Sequence, residues 1–321
     1  MTMNEVLLET TNLTKSYNGL KAVNNLSITI NKGEIVGFLG PNGAGKTTTI
    51  SMLSTVLKPT SGKILVEGYD IVKEPQEARK RIGVCPQELV FYDYLTAKEN
   101  AEFFAQMHKL NSKRVNGTLE KLFEDLGLTE KLSAKGSTLS GGMKRRLNVL
   151  LALVMDPEII FLDEPTAGLD PQSSRLTWDF IRDLRNKNKT VLVTTHNMRE
   201  AEELCDRIYI IDKGEIIAEG TPQSIKANVG EGEIFDFQFK EEENGHLETI
   251  KQKIEQLGPY VKKVEILSKT RMIVIATGGV KRLVEFEHQI EGGLEKLDNL
   301  TIRSQNLEDV FLLLTGKQLR E

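Results

Sequence analysis

At 321 residues, 39% hydrophobic and 27% charged, the chain has room for one large globular domain and a smaller one, and it is too apolar to be disordered. A formal net charge of −4 removes any general electrostatic pull toward nucleic acid, and two cysteines far apart, Cys85 and Cys205, exclude a disulfide framework or thiolate metal site and fit a reducing compartment. The first residues lack a basic segment followed by an apolar run, so no signal peptide is expected; the longest apolar stretch, 149–155, is too short to span a bilayer, so any membrane span must come from another chain.

Short apolar and polar runs over 6–36 predict a small antiparallel sheet. Tyr17 falls in a polar turn region, where its ring can stack on a planar base or simply face solvent. Residues 34–39 read as a buried strand and 46–57 have the composition of a helix. Between them Gly40, Pro41, Asn42, Gly43, Ala44, Gly45, Lys46, Thr47 and Thr48 fit the pattern G-x-x-x-x-G-K-[ST] at every fixed position. The glycines let successive N–H groups face phosphate oxygens at a helix N-terminus; Lys46 reaches the β- and γ-phosphates, and Thr47 holds Mg²⁺.

Residues 63–66 and 81–86 read as further strands, the second ending at Gln87, which by itself is an ordinary loop residue. From 96 to about 128 the pattern turns helical, with Leu95, Phe103, Phe104, Met107, Leu119, Leu122, Phe123 and Leu126 at spacings of three and four, and with Thr96 and Glu99 as a capping box. This block interrupts an alternation of strands and helices and reads as an inserted subdomain. Ser140, Gly141 and Gly142 open an amphipathic helix, either a second N-terminus suited to an anion or, as the segment reads alone, an ordinary serine cap, while Lys144, Arg145 and Arg146 read as its solvated face.

The apolar strand 159–162 delivers Asp163 and Glu164 at its end. Paired acids are costly in such a place, and beside a phosphate loop they suit one carboxylate for Mg²⁺ and one for a water. A turn follows through Asp170, then strand 190–195 ends at His196, on the same sheet edge as the phosphate loop. The first domain closes near 225, and Val229, Gly230, Glu231 and Gly232 form a linker. Strands at 234–240, 261–267, 271–276 and 300–303 with helices at 247–257 and 280–291 give the order βαββαβ, a small ferredoxin-like domain, closed by a helix over 306–314. His246 and His288 in this region read as surface residues.

Taken in order, these motifs resemble the ATP-binding subunit of an ATP-binding cassette (ABC) transporter, over about residues 5–225. The resemblance implies an α/β P-loop NTPase (RecA-like) core with an antiparallel β subdomain and an inserted helical subdomain at about 88–157. It thus divides the chain into an ATP-binding domain at 1–228 and a C-terminal α+β accessory or regulatory domain at 229–321. It assigns Tyr17 to adenine stacking, residues 40–48 to the phosphates, and Gln87 to sensing Mg²⁺ and the attacking water while linking to the membrane partner. Ser140, Gly141 and Gly142 become the signature that binds the γ-phosphate of the nucleotide on a second copy. Asp163 becomes the Mg²⁺ ligand, Glu164 the general base, Asp170 part of the loop crossing the dimer seam, and His196 the γ-phosphate switch. Met143 stands where the family most often has Gln; Ser140 and Gly142 remain. The signature segment 139–147 and the tail 306–316 look like the daunorubicin-resistance-type, ABC-2 exporter branch.

The expected function is therefore an ATPase that pairs head to tail on ATP and powers a separate transmembrane permease, exporting a drug-like, lipid or other hydrophobic substrate from the inner face of the cell membrane. An aromatic and apolar group after Gln87 (Leu89, Val90, Phe91, Tyr92, Tyr94, Leu95) is either local core or a lip that receives a cytoplasmic helix of that permease. A soluble cassette acting on DNA or the ribosome is the competing reading; the DNA-repair type would carry a long coiled-coil insertion and the translation type two cassettes, and the sequence has neither. A cassette switched by a ligand-sensing C-terminal module is another, separable by truncation at residue 228.

Overall fold

The computed structural model describes residues 5–110, 112–228, 230, 232–240, 246–290 and 292–315, with the side chains of 112–116 left aside. Of the features expected above, residues 1–4 of the N-terminus, Val229 and Glu231 of the linker, Glu291 and Gly316 lie outside the described residues. The chain forms two compact units, 1–219 and 220–321.

In chain order the first unit contains β1 (Val6–Tyr17), β2 (Leu20–Leu26), β3 (Thr29–Asn31), β4 (Ile35–Leu39), α1 (Lys46–Leu53), β5 (Ser61–Val66), β6 (Tyr69–Asp70), α2 (Pro75–Arg79) and β7 (Ile82–Cys85). The helical insertion follows as α3 (Ala97–Met107), α4 (Ser112–Asp125) and α5 (Gly141–Leu153). Then come β8 (Ile159–Asp163), α6 (Pro171–Asn186), β9 (Thr190–Thr195), α7 (Met198–Leu204), β10 (Arg207–Asp212) and β11 (Glu215–Gly220).

The main sheet runs β11-β10-β4-β9-β8-β7, and its pairs from β10 to β7 are parallel. β4, β8 and β9 are buried at every residue, which is why they read as continuous apolar runs: helices cover both faces of such a sheet. The antiparallel sheet runs β2-β1-β5-β6, with β3 also on β1. One apolar cluster, including Leu8, Ile30, Phe38, Phe161, Leu192 and Tyr209, packs the two sheets together. The strand order places β9 between β4 and β8, so the phosphate-loop strand and the strand bearing the paired acids end side by side with it at one sheet edge.

Of three local expectations, two are corrected and one holds. The first helix stops at Leu53 rather than 57, because Thr55 takes a left-handed backbone (φ 65°). The capping box on α3 is present, with Glu99 N–H donating to Thr96 Oγ1 at 3.1 Å and Thr96 N–H to Glu99 Oε2 at 2.7 Å. The buried face of α3, however, is Ala97, Asn100, Ala101 and Ala105, while Met107 is exposed and Phe103 and Phe104 only half-buried. Small residues let this helix lie close, and the aromatic stripe is turned outward.

The second unit contains α8 (Pro222–Asn228), β12 (Glu233–Phe239), α9 (Leu247–Glu255), β13 (Val261–Ser268), β14 (Arg271–Ala276), α10 (Leu283–Glu287), β15 (Leu297–Ser304) and α11 (Leu307–Thr315). Its sheet, β13-β14-β12-β15, is antiparallel throughout, the ferredoxin-like order. Alternation along β12 sends Phe235, Phe237 and Phe239 to a core with Ile250, Ile254 and Phe286, and Ile234 to the other face with Leu312 of α11. The predicted helix 280–291 is broken, being a short 3-10 turn at 279–282 followed by α10. His246 and His288 are exposed, as expected.

Candidate functional site

The phosphate loop leaves β4 at Gly40, where an added Cβ would lie 2.3 Å from the Ile211 carbonyl oxygen, and closes at Gly45, whose φ of 105° and approach to the Ala22 carbonyl oxygen (2.5 Å from a Cβ) admit no side chain. Lys46, first residue of α1, folds back so that Nζ donates to the carbonyls of Gly40 (2.7 Å) and Pro41 (3.1 Å) and faces Glu164 Oε1 at 3.4 Å. A cleft of about 150 Å³ is lined by Ala22, Asn42, Gly43, Gly45, Lys46, Thr47, Thr48, Gln87 and Glu164. Backbone amides at a helix N-terminus and a buried ammonium make it a receptor for phosphate oxygens.

Asp163 ends β8 and pairs in register with Thr194 of β9, whose hydroxyl donates to Asp163 Oδ1. Glu164, the next residue, has a left-handed backbone (φ 51°), a conformation costing a non-glycine residue about 1–2 kcal/mol. Its N–H donates to the carbonyl and hydroxyl oxygens of Thr194, both at 3.1 Å, and its Oε2 lies 2.7 Å from Nδ1 of His196, which follows β9. Lys46 and His196 thus grip one carboxylate from two sides. The Thr47 hydroxyl, Gln87 amide and Asp163 carboxylate are hard oxygen donors, the chemistry that suits Mg²⁺ shared with phosphate oxygens.

Ser140, Gly141, Gly142 and Asp170 are not among the residues lining this cleft. Ser140 caps α5, its hydroxyl accepting from Met143 N–H at 3.3 Å. Asp170 caps α6, accepting from the N–H groups of Gln172 (3.0 Å) and Ser173 (2.9 Å) and from the Ser173 hydroxyl (2.6 Å); the Ser173 hydroxyl foremost holds its carboxyl below the usual range. The two caps adjoin, since a Cβ on Gly142 would stand 2.7 Å from Ser173 Oγ. Tyr17 is not in a turn: it ends β1 opposite Leu20, half exposed, with Lys15 Nζ 5.2 Å from its ring centre, and it does not line the cleft.

The expectation of a solvated basic face on α5 is corrected. Arg145 is 4% exposed and donates to main-chain carbonyls on both sides of the cleft, and Arg146 donates to the Leu126 carbonyl at 2.7 Å. A guanidinium, with five N–H donors, is buried where several carbonyls converge, and a charge run read along one helix cannot reveal them. Thr194 and Glu200 also escaped the sequence reading. Glu200, nearly wholly buried on α7, accepts from the Thr166 hydroxyl (2.7 Å) and the Trp178 indole N–H (2.9 Å).

Burial, partly offset by those donors, holds the Glu200 carboxyl above the usual range. A raised folded-state pKa contributes stability that is complete below the unfolded pKa and lost as pH rises through the folded value. Glu200→Gln, neutral throughout, is expected to gain melting temperature relative to the unaltered chain as pH rises from about 5 to 8. Thermal melts at several pH values check this; a difference constant across the range would show that the charge plays no part.

Comparison with known proteins follows the same line. The family model described as ABC transporter matches residues 23–167. The linearmycin resistance ATP-binding protein LnrL of Bacillus subtilis (strain 168) is 38% identical, across 98% of this chain and 100% of that protein. The daunorubicin resistance ATP-binding protein DrrA3 of Streptomyces coeruleorubidus is 37% identical across 95% of each, and the Nod factor export ATP-binding protein I of Rhizobium sp. (strain N33) is 37% identical across 99% of this chain and 100% of its own length. A solved ATP-binding subunit of an ABC transporter superposes with a TM-score of 0.64 at 29% identity, over 70% of this chain and 93% of that one.

Proposed function

The chain belongs to the ABC transporter family, as one of its ATP-binding, ATP-hydrolysing subunits, and from that premise we propose that two copies close head to tail on two ATP molecules and drive a separate membrane-spanning permease that exports a drug-like, lipid or other hydrophobic compound. The observation that carries the pairing is the division of labour: Asn42, Gly43, Gly45, Lys46, Thr47, Thr48, Gln87 and Glu164 share one cleft, while Ser140, which caps α5, does not line it. A second copy supplies what each cleft lacks. The three relatives are a resistance protein, another resistance protein and an export protein by name, matched over nearly their whole length including the C-terminal unit. That favours export over action on DNA or the ribosome.

In this reading Tyr17 stacks on adenine, the free backbone amides of the loop 40–48 and Lys46 hold the phosphates, and Ser140 and Gly142 of the other copy close over the γ-phosphate, with Asp170 at the seam. Thr47, Gln87 and Asp163 would hold Mg²⁺, which when bound neutralises phosphate charge. Glu164 accepts a proton from the attacking water, and His196, held at Glu164, contacts the γ-phosphate and loses that contact after cleavage. The seam then opens and the permease moves.

No helix among the described residues is long and apolar enough to cross a membrane, so the protein would sit on the cytoplasmic face through the permease. A groove of about 340 Å³ with Val56, Val90 and Phe104 in its wall lies beside the residues after Gln87, of which Tyr94 is 89% exposed. An exposed apolar lip suits a permease helix. Purification of the tagged chain from native membranes in detergent is expected to bring down a polytopic membrane protein, and Tyr94→Ala with Leu89→Ala to reduce its recovery without lowering basal ATPase activity. Recovery of the chain from the cytosolic fraction with no membrane protein would overturn the assignment.

A further inference from the structure

Arg145 has no role among the motifs, yet it is buried and every guanidinium nitrogen is spent on main-chain carbonyls. Its Nε donates to the Pro165 carbonyl (3.0 Å), Nη1 to those of Pro86 and Gln87 (both 2.9 Å), and Nη2 to those of Asp163 and of Glu164 (2.8 Å). Five carbonyls from two chain segments converge on one buried guanidinium. One segment carries Gln87; the other carries both acids.

The same helix holds the Gln87 segment a second time. Asn148, 1% exposed, donates to the carbonyls of Pro86 (3.2 Å) and Glu88 (3.1 Å) and accepts from Val90 N–H (2.9 Å). The loop after β7 is therefore fastened to α5 by two side chains, Arg145 and Asn148. The Asp163–Pro165 segment belongs instead to the central sheet, and α5 reaches its carbonyls through Arg145. Glu164 needs such a hold, because a left-handed backbone at a non-glycine residue persists only where its neighbours over-determine it. Thr194 fixes its N–H side and Arg145 its carbonyl side.

We propose that Arg145 is a positioning residue for ATP hydrolysis, tying Glu164 and Gln87 to the helix that begins at Ser140, so that engagement of Ser140 on one nucleotide sets the geometry of the base at the other. This rests on the reading of Glu164 as base. Lys has neither the planar fork nor the number of donors to span both segments.

The test is steady-state ATP hydrolysis by the full chain with Arg145→Lys and Arg145→Gln, each alone and with Gln87→Ala, alongside thermal melts and Glu164→Gln. Arg145→Lys is expected to lower kcat by about 10²-fold, the loss typical of a misplaced catalytic group, with KM for ATP within about 2-fold and a cooperative melt retained. Gln87→Ala should then cost far less in the Arg145→Lys chain than in the unaltered one, since both act on one arrangement. If Arg145→Lys does not fold, Arg145→Gln is read the same way; if neither folds, the residue is structural and the proposal fails. It fails equally if kcat is unchanged, if KM rises in step with the loss, or if the Gln87 and Arg145 effects multiply in full. Near-normal turnover by Glu164→Gln would instead overturn the base assignment; an inactive Glu164→Gln with an active Arg145→Lys would overturn this inference alone.

Discussion

Glu164→Gln is expected to lower ATP turnover by about 10²–10⁴-fold, the contribution of a well-placed general base, while ATP binding persists. The substitution keeps the size of the side chain and one of its two acceptor oxygens, which can still face His196 Nδ1, now 2.7 Å from Oε2, while the contact from Lys46 to Oε1 at 3.4 Å is given up. What it removes is the negative charge and the basicity that draws a proton from water. Lys46, released from its carboxylate partner in a buried setting, has more of its charge to offer phosphate, so affinity for ATP should hold or rise. With binding intact and cleavage blocked, the ATP-bound dimer accumulates. Hydrolysis assays and light scattering with and without ATP check both halves; near-normal turnover would remove Glu164 from the role.

The sequence made the cleft legible because its parts are local. The phosphate loop is a contiguous run between a strand and a helix, and the parallel strands announce themselves as apolar runs ending in Asp163, Glu164 and His196. Once those strands are adjacent in the sheet, their ends meet. Long-range polar contacts are another matter. Thr194 is the next-to-last residue of a buried strand and looks like β propensity until the register sets it against Asp163. Arg145 looks like one third of a basic run until the loop after β7 and the end of β8 bring their carbonyls around it. Glu200 sits in an acidic stretch, 200–203, whose other acids give no hint that it alone is enclosed by Thr166 and Trp178. A contact formed by residues far apart in the chain leaves no periodic mark. The outward turn of Phe103 and Phe104 was hidden for a related reason: apolar spacing fixes a helical stripe, but alanines can form a buried face as well as aromatics do.

The proposed head-to-tail pairing leads to the second large effect. Lys46→Met and Ser140→Asp are each expected to be almost inactive as the sole chain in the assay, yet to recover activity when mixed. Lys46→Met removes the ammonium from the phosphate loop and keeps its bulk and helix propensity at the start of α1. Ser140→Asp keeps a residue that caps helices well, so α5 should still form, but presents an anion where the γ-phosphate of the other copy's ATP would lie. In a pure sample every composite site is damaged, by its own loop or by the partner's signature. In a mixed dimer one site combines the intact Lys46 of one chain with the intact Ser140 of the other, and the second site carries both defects. With random pairing about half of the dimers are mixed and half of their sites are whole, which gives about a quarter of the original turnover if sites act independently. Obligatory cooperation between the two sites would hold the recovery lower. Turnover equal to the plain sum of the two separate samples, at concentrations where the unaltered chain pairs on ATP, would mean that Ser140 serves its own chain's nucleotide or none.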